Sequence, residues 1–353
     1  MIKAYKKDEK MKKTLISSEK KQYKANLHCH STLSDGKLAP EELKKMYKEH
    51  GYDILAITDH SHPYNHSAMN DPGFLMLTGY EAYIRESGGP YDTFKREIHL
   101  NLFAKEPDNT ALVCYDPRYT KYIPAEKHGE LCRAGDERQR EFTVEYINEF
   151  IKTAIDNGYL VAYNHPFWSM DDEARILSYK NLLSLELYNT GSYIANNIEN
   201  AEMLYDVMLR HGIHLGCHAG DDNHNSKPLD SPYSDSFGFF TMILADSLEY
   251  SAVIKALEEK NFYASSGPRI DEIRIVNDEE KGKLVRVKCS PATKIFMYFG
   301  SKSPRHIRLP KGECAESFDL TLPADAKYVR ISVYDADGNV ANSRGFFPEE
   351  WDG

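Results

Sequence analysis

The chain has 353 residues, of which 41% are hydrophobic and 12% aromatic, with a formal net charge of −10. That composition is globular rather than disordered, the length exceeds one small core, and the charge argues against general affinity for nucleic acid or an anionic membrane. No apolar run is long enough to cross a bilayer. The lysine-rich N-terminus lacks the apolar centre of a signal peptide, so residues 1–23 read as a disordered or extended tail. Six scattered cysteines without zinc-finger spacing read as reduced thiols in a cytoplasm.

The first strand ends in Asn26-Leu27-His28-Cys29-His30, followed by Ser34-Asp35-Gly36. Side chains two apart on a strand share a face, so His28 and His30 can converge while Cys29 points away. A helix then opens at Pro40-Glu41-Glu42, with proline and acids in its first turn. Ile54 to Ile57 is an apolar strand running into Thr58-Asp59-His60. Phe74 to Leu77 is another, ending at Gly79-Tyr80-Glu81, and Glu97 to Phe103 is a strand that carries His99.

Residues 107–140 are polar and tyrosine-rich and read as an inserted loop or lid. Val144, Ile147, Phe150, Ile151 and Ala154 keep the helical period of a helix over 143–157. The strand 159–164 delivers His165-Pro166, and a strand over 182–188 contains Glu186. A helix over 201–210 and a strand over 213–217 lead to Asp221-Asp222-Asn223-His224. A strand over 238–244 and a helix over 248–260 follow. Repeated strand–helix alternation predicts an α/β fold with a parallel sheet, open or closed as a barrel, whose functional face lies at the C-terminal strand ends. From Ile270 onward the segments are short and alternating with turn residues such as Asp337-Gly338-Asn339. They predict a small antiparallel, sandwich-like β-domain over 270–353.

His28, His30, Asp35, His60, Glu81, His99, His165, Asp222 and His224 recur at one predicted strand end after another. Each alone has a structural explanation, but nine on one rim do not. Imidazole and carboxylate together suit zinc, manganese or iron rather than calcium.

The motifs His28-Cys29-His30, Ser34-Asp35-Gly36, Thr58-Asp59-His60, Gly79-Tyr80-Glu81, Ile98-His99-Leu100, Asn164-His165-Pro166 and Asp222-Asn223-His224 resemble the PHP (polymerase and histidinol phosphatase) superfamily of metal-dependent phosphoesterases. The resemblance covers residues 24–269 and implies a distorted seven-stranded (β/α) barrel and a trinuclear site, and two or three divalent transition-metal ions are the expected cofactors. It implies that His28, His30, Glu81 and Asp222 hold the first ion. Glu81, His99 and His165 hold the second, with Glu81 bridging, and Asp35, His60 and His224 hold the third. Many family members have histidine where this chain has Asp35.

The implied chemistry is hydrolysis of a small organic phosphate, nucleotides included, by a hydroxide shared between two ions about 4 Å apart. Asp59 is a candidate orienter of an imidazole, and Arg269 a candidate bidentate donor to substrate phosphate, with Arg85 and Arg96 comparable. Trp168, Tyr163, Tyr188 and Tyr193 are candidates for an aromatic wall. A small phosphorylated substrate is the expected partner, without stable nucleic-acid binding or membrane attachment; the oligomeric state stays open. Alternatives are a histidinol-phosphate-type phosphatase, a hydrolase of a non-phosphate ester or amide, and a metal-stabilised binding module without activity.

Overall fold

A computed structural model describes residues 13–86, 95–198 and 200–352. The chain divides into two compact units, one spanning Lys21–Ala264 and the other combining the first twenty residues with Ser265–Gly353.

The N-terminal segment does not stay a tail where it is described. Strand β1 (Lys13–Ile16) pairs antiparallel with a strand of the smaller unit, and Ile16 is buried. β2 (Lys21–Asn26) enters the larger unit. The lysines hide this from composition: Lys13 and Lys21 are exposed and Lys20 and Lys24 half-buried, while Ile16, Ala25 and Asn26 take the buried positions. Residues 1–12 lie outside the described part.

In the larger unit the strands continue as β3 (Ile54–Ile57), β4 (Leu75–Arg85), β5 (Glu97–Ala104), β6 (Leu112–Val113), β7 (Arg133–Ala134), β8 (Tyr159–Tyr163), β9 (Ser184–Asn189), β10 (Gly216–Gly220), β11 (Phe240–Ala245) and β12 (Phe262–Ser265). The helices are α1 (Pro40–Glu49), α2 (Val144–Asp156), α3 (Glu173–Ile176), α4 (Thr190–Asn196), α5 (Glu202–Arg210) and α6 (Tyr250–Glu258). The main sheet runs β10-β9-β8-β5-β4-β3-β2-β11-β12.

The sheet is mixed, which corrects the all-parallel expectation. β2–β3–β4 and β8–β9–β10 are parallel runs, whereas β4–β5, β5–β8 and β2–β11 are antiparallel. A parallel pair needs a crossover, usually a helix. Among the described residues no helix lies between β4 and β5, and the two strands pair directly from Gly79↔Phe103 to Arg85↔Glu97. β4 is also longer than the apolar run Phe74–Leu77 predicts, so Glu81 sits inside a strand and not at its end.

Just past their ends, β2 and β10 meet. Cys29 and Asn223 form a parallel bridge, Asp222 N–H donates to His28 O (2.9 Å), and His30 N–H donates to Asn223 O (3.1 Å). Leu27, Ile54, Leu77, Phe103, Ile243, Leu257 and Phe262 share one buried cluster. Each such side chain stabilises the fold by roughly 1.5–3 kcal/mol relative to exposure.

The helix over 143–157 forms as α2, capped by Thr143 Oγ1, which accepts from Tyr146 N–H (3.2 Å). The short helices α3 and α4 escape periodicity because each spans two turns or fewer.

In the smaller unit, β13 (Ile270–Asp278), β14 (Gly282–Ala292), β15 (Lys294–Tyr298), β16 (Arg305–Arg308), β17 (Ala315–Thr321), β18 (Arg330–Tyr334) and β19 (Val340–Asn342) pair antiparallel. They form sheets ordered β1-β13-β14-β17 and β19-β18-β15-β16. The turn at Asp337-Gly338-Asn339 joins β18 to β19. Asp335 Oδ1 accepts from the N–H groups of Asp337 and Asn339, and Gly338 takes φ +91°, which glycine adopts without steric cost.

Candidate metal centre

The loops after β2, β3, β8 and β10 and the middles of β4 and β5 deliver all nine sequence-derived ligand candidates to one place. Glu81 is the centre, 1% exposed. Its Oε1 lies 3.0 Å from His28 Nε2, 3.1 Å from His99 Nδ1 and 3.3 Å from His165 Nε2. Its Oε2 lies 3.2 Å from His60 Nδ1 and 3.3 Å from His30 Nε2. Asp222 Oδ1 lies 3.2 Å from His28 Nε2 and 3.0 Å from His30 Nε2.

Three groups of ligand atoms converge within 4.8 Å of one another: His28, His30, Glu81 and Asp222; His60, Glu81 and His99; and His30, Asp35, His60 and His224. Glu81, His30 and His60 each belong to two of them. The trio around His99 contains His60, where the family resemblance places His165; His165 Nε2 faces Glu81 Oε1 and, at 4.0 Å, Asp222 Oδ2.

The donor set fits metal ions. His28 Nε2, His30 Nε2, His60 Nδ1 and His99 Nδ1 are buried, face carboxylate oxygens, and make no hydrogen bond. A buried ring nitrogen without a partner is costly unless something else uses its lone pair. Convergent imidazole and carboxylate donors supply what a divalent transition metal takes up.

The electrostatics agree. Burial favours a neutral His30, but the Asp222 and Glu81 carboxylates outweigh it and push the ring up to about 10. The same contest, won by Glu81 and Glu97, raises His99 to about 9. Burial, then the neighbouring His30, pulls His60 down to about 3. Glu81 resists its burial and is held well below the ordinary carboxylate range, with His99, His28 and His60 responsible. The carboxylates of the cluster favour positive charge on His30 and His99.

Sequence reasoning missed the groups that orient these ligands. Glu186 is fully buried; its Oε1 lies 3.0 Å from His28 Nδ1, and its Oε2 accepts from His165 N–H (2.9 Å) and Asn189 Nδ2 (3.1 Å). Glu97 Oε1 lies 3.0 Å from His99 Nε2, and its other oxygen accepts from Arg85 Nε. Carboxylates set behind ligating imidazoles fix the ring and its tautomer. The signal for Glu97 was present, since it shares a strand face with His99 two residues on. Glu186 gave no such signal, because its strand does not carry a ligand.

Asp59 does not touch an imidazole. It accepts from Ser31 N–H (2.8 Å), Ser31 Oγ (2.5 Å) and Ser34 Oγ (2.5 Å), and acts on His30 only through Ser34, whose Oγ lies 3.5 Å from His30 Nδ1. Arg269 lies in the smaller unit, where it pairs with Asp271 and is exposed. Arg96 binds Glu86 and Asp172, so only Arg85 of the three arginines lines the site cavity. Cys29 is fully buried, and burial, then Asp59, holds its thiol well above the usual range. Asp222 (φ +51°) and His165 (φ +25°) occupy left-handed backbone. Such strain costs on the order of 1–3 kcal/mol and clusters at functional sites.

Above the ligands lies a cavity of about 700 Å³, lined among others by Arg85, Lys121, Tyr122, Trp168, Lys227 and Tyr233. Trp168 packs on His99 and His165, with ring centroids 4.9 and 5.0 Å away. Tyr163 and Tyr188 are buried and form no wall.

Residues 26–116 match the model of the PHP domain. The match spans the motifs from His28 to His99, including Glu81. A stretch of 97 residues, 26% of the chain, is 35% identical to a 5′-3′ exoribonuclease of Haemophilus influenzae. The chain spans about a third of the length of that curated relative, 33%. Among solved structures, the chain is similar to a two-domain protein of Bacteroides vulgatus containing a predicted PHP-like metal-dependent phosphoesterase. Identity is 12%, coverage 96% of this chain and 99% of that one, and the TM-score 0.44. It is also similar to an amidohydrolase of Chromobacterium violaceum with bound sulfate, at 18% identity, 57% and 87% coverage, and a TM-score of 0.35. No helix among the described residues is long and apolar enough to cross a membrane.

Proposed function

We propose that this chain is a metal-dependent phosphoric ester hydrolase acting on a small organic phosphate, nucleotides included. The observation that carries this is the set of four buried imidazole nitrogens that face Glu81 without a hydrogen bond. The PHP-domain match over residues 26–116 supports the phosphoesterase class.

Two or three ions of zinc, manganese or iron are the proposed cofactors, in three groups linked by Glu81, His30 and His60, each of which belongs to two of them. When bound, such ions lower the pKa of water and polarise phosphoryl oxygens. The chain's own residues do the rest. Glu186 and Glu97 hold the His28 and His99 rings in one tautomer, and Asn164 Nδ2 (2.8 Å) fixes Glu81 Oε1. Trp168 covers one side of the ligands and limits water. Lys121 and Lys227 line the cavity and offer charge to an anionic substrate.

Seven strands, β2, β3, β4, β5, β8, β9 and β10, with contact between residues 28–30 and 222–223, support a distorted seven-stranded barrel. Six free cysteines support a cytoplasmic location. The test is hydrolysis of p-nitrophenyl phosphate and bis-p-nitrophenyl phosphate with manganese added. Turnover of either, abolished by chelation and restored by metal, is the expected result. Metal-loaded protein inert toward both would sink the phosphoesterase reading in favour of ester or amide hydrolysis, or of a binding role.

A further inference from the structure

Asp35 is the loosest corner of the ligand cluster. Its carboxylate stands 3.4 Å from His224 Nε2, 3.6 Å from His30 Nδ1 and 3.7 Å from His60 Nε2, beyond the 3.0–3.3 Å that separates Glu81 from its five imidazoles. Its side chain is also the most exposed of the ligand carboxylates, at 34%, on a loop and not a strand. An aspartate there reaches less far than a longer side chain, so something else has to hold it in place.

Tyr122 does. Its phenol donates to Asp35 Oδ2 (3.1 Å), Lys121 Nζ donates to the Tyr122 oxygen (3.1 Å), and the Tyr122 ring stacks on His60, with centroids 6.1 Å apart and planes 14° from parallel. Ser34 Oγ, which donates to Asp59 at 2.5 Å, lies 3.2 Å from the other Asp35 oxygen. Tyr122 comes from the segment 107–140, read as an inserted loop or lid, which hydrogen bonds tie to β4. Thr78 Oγ1 donates to Pro107 O (2.8 Å), Val113 N–H to the Tyr80 oxygen (3.1 Å), and Arg140 Nη1 to Tyr83 O (2.8 Å). Asp116 accepts from Arg140 N–H and pairs with Arg118, and Ile123 is buried beside Tyr122. The phenol is therefore preorganised.

We infer that Tyr122 is a positioning residue for Asp35, and that the Tyr122–Asp35 pair sets the affinity of the ion held by His30, Asp35, His60 and His224. This rests on the metal-binding reading above. Removing a hydrogen-bond partner behind a ligand typically lowers metal affinity about 10- to 100-fold.

The experiment is manganese and zinc titration of the full chain, with bound metal counted by elemental analysis after equilibrium dialysis. The proteins are wild type, Tyr122→Phe, Asp35→Asn and the double variant. Tyr122→Phe should weaken the last ion at least about tenfold and leave the tighter ions in place. Asp35→Asn should do the same, and the double variant should be no weaker than Asp35→Asn alone. If Asp35→Asn loses the weak ion and Tyr122→Phe keeps it at wild-type affinity, or if the two losses add fully, the positioning role is wrong while the metal reading stands. Wild type binding less than one ion would overturn both. Circular dichroism of Tyr122→Phe, which deletes one oxygen, checks that the fold is intact; a fold lost with that oxygen would make Tyr122 structural and overturn the inference.

Discussion

Asn164 donates its side-chain amide to Oε1 of Glu81 at 2.8 Å, the same oxygen that faces His28, His99 and His165. One carboxylate oxygen thus serves three imidazoles and is pinned from behind by an amide next in sequence to one of them. The ligand geometry depends on this oxygen more than on any single histidine.

Glu81→Gln should therefore be the most damaging single change. It keeps the volume but removes the charge shared by two ligand groups. Bound metal should fall by more than half. Activity should fall further than the roughly 10- to 100-fold that loss of an outer partner costs. Elemental analysis and steady-state kinetics check both, and full metal content in Glu81→Gln would disprove the bridge.

Glu186→Gln tests the layer behind the ligands. The amide cannot fix the His28 tautomer as a carboxylate does, yet it keeps the shape of a fully buried site. The expected result is metal affinity weakened about 10- to 100-fold with unfolding little changed. Competition with a metal-sensitive dye reads the first, and thermal unfolding of the chelated protein reads the second.

Gly36 approaches the backbone of the first ligand loop. A Cβ there would stand 2.2 Å from the His30 carbonyl oxygen, which no real Cβ tolerates. Gly36→Ala should destabilise the protein by about 1–3 kcal/mol, the usual cost of overpacking. It should also displace Asp35, its neighbour in the same loop. A denaturant midpoint equal to wild type would contradict this.

Cys29 sits between two ligands but is not placed to act as a nucleophile. Its thiol is buried, and its environment disfavours the thiolate that nucleophilic attack requires. Cys29→Ala should keep most phosphatase activity, within about tenfold of wild type, since a metal-activated water needs no protein nucleophile. His28→Ala and His30→Ala should lose nearly all of it. In ¹⁸O-labelled water a single turnover should place solvent oxygen directly in the released phosphate. A trapped phosphorylated enzyme would reverse this conclusion.

The sequence by itself carried the list of ligand candidates. The His28–His30 spacing, the carboxylates and histidines after apolar runs, and the family motifs name all nine residues that the fold brings together. Local chemistry is what such motifs encode, because strand alternation decides which side chains share a face. The helix over 143–157 and the β-rich C-terminal region were legible for the same reason, since their periods are local.

Tertiary structure decided what no local pattern holds. The antiparallel setting of β4 and β5 depends on which strands meet, and the length of β4 carries Glu81 into the interior of a strand. Glu186 reaches His28 across 158 positions and Tyr122 reaches Asp35 across 87, with no spacing rule linking either pair. The N-terminal lysines concealed β1, because its buried position, Ile16, matters only once a partner strand lies alongside. Asp59 looked like an imidazole partner from its place beside His60, yet the fold turned its carboxylate onto Ser31 and Ser34. A side chain's neighbours in sequence are set by the chain, but its hydrogen-bond partners are set by packing.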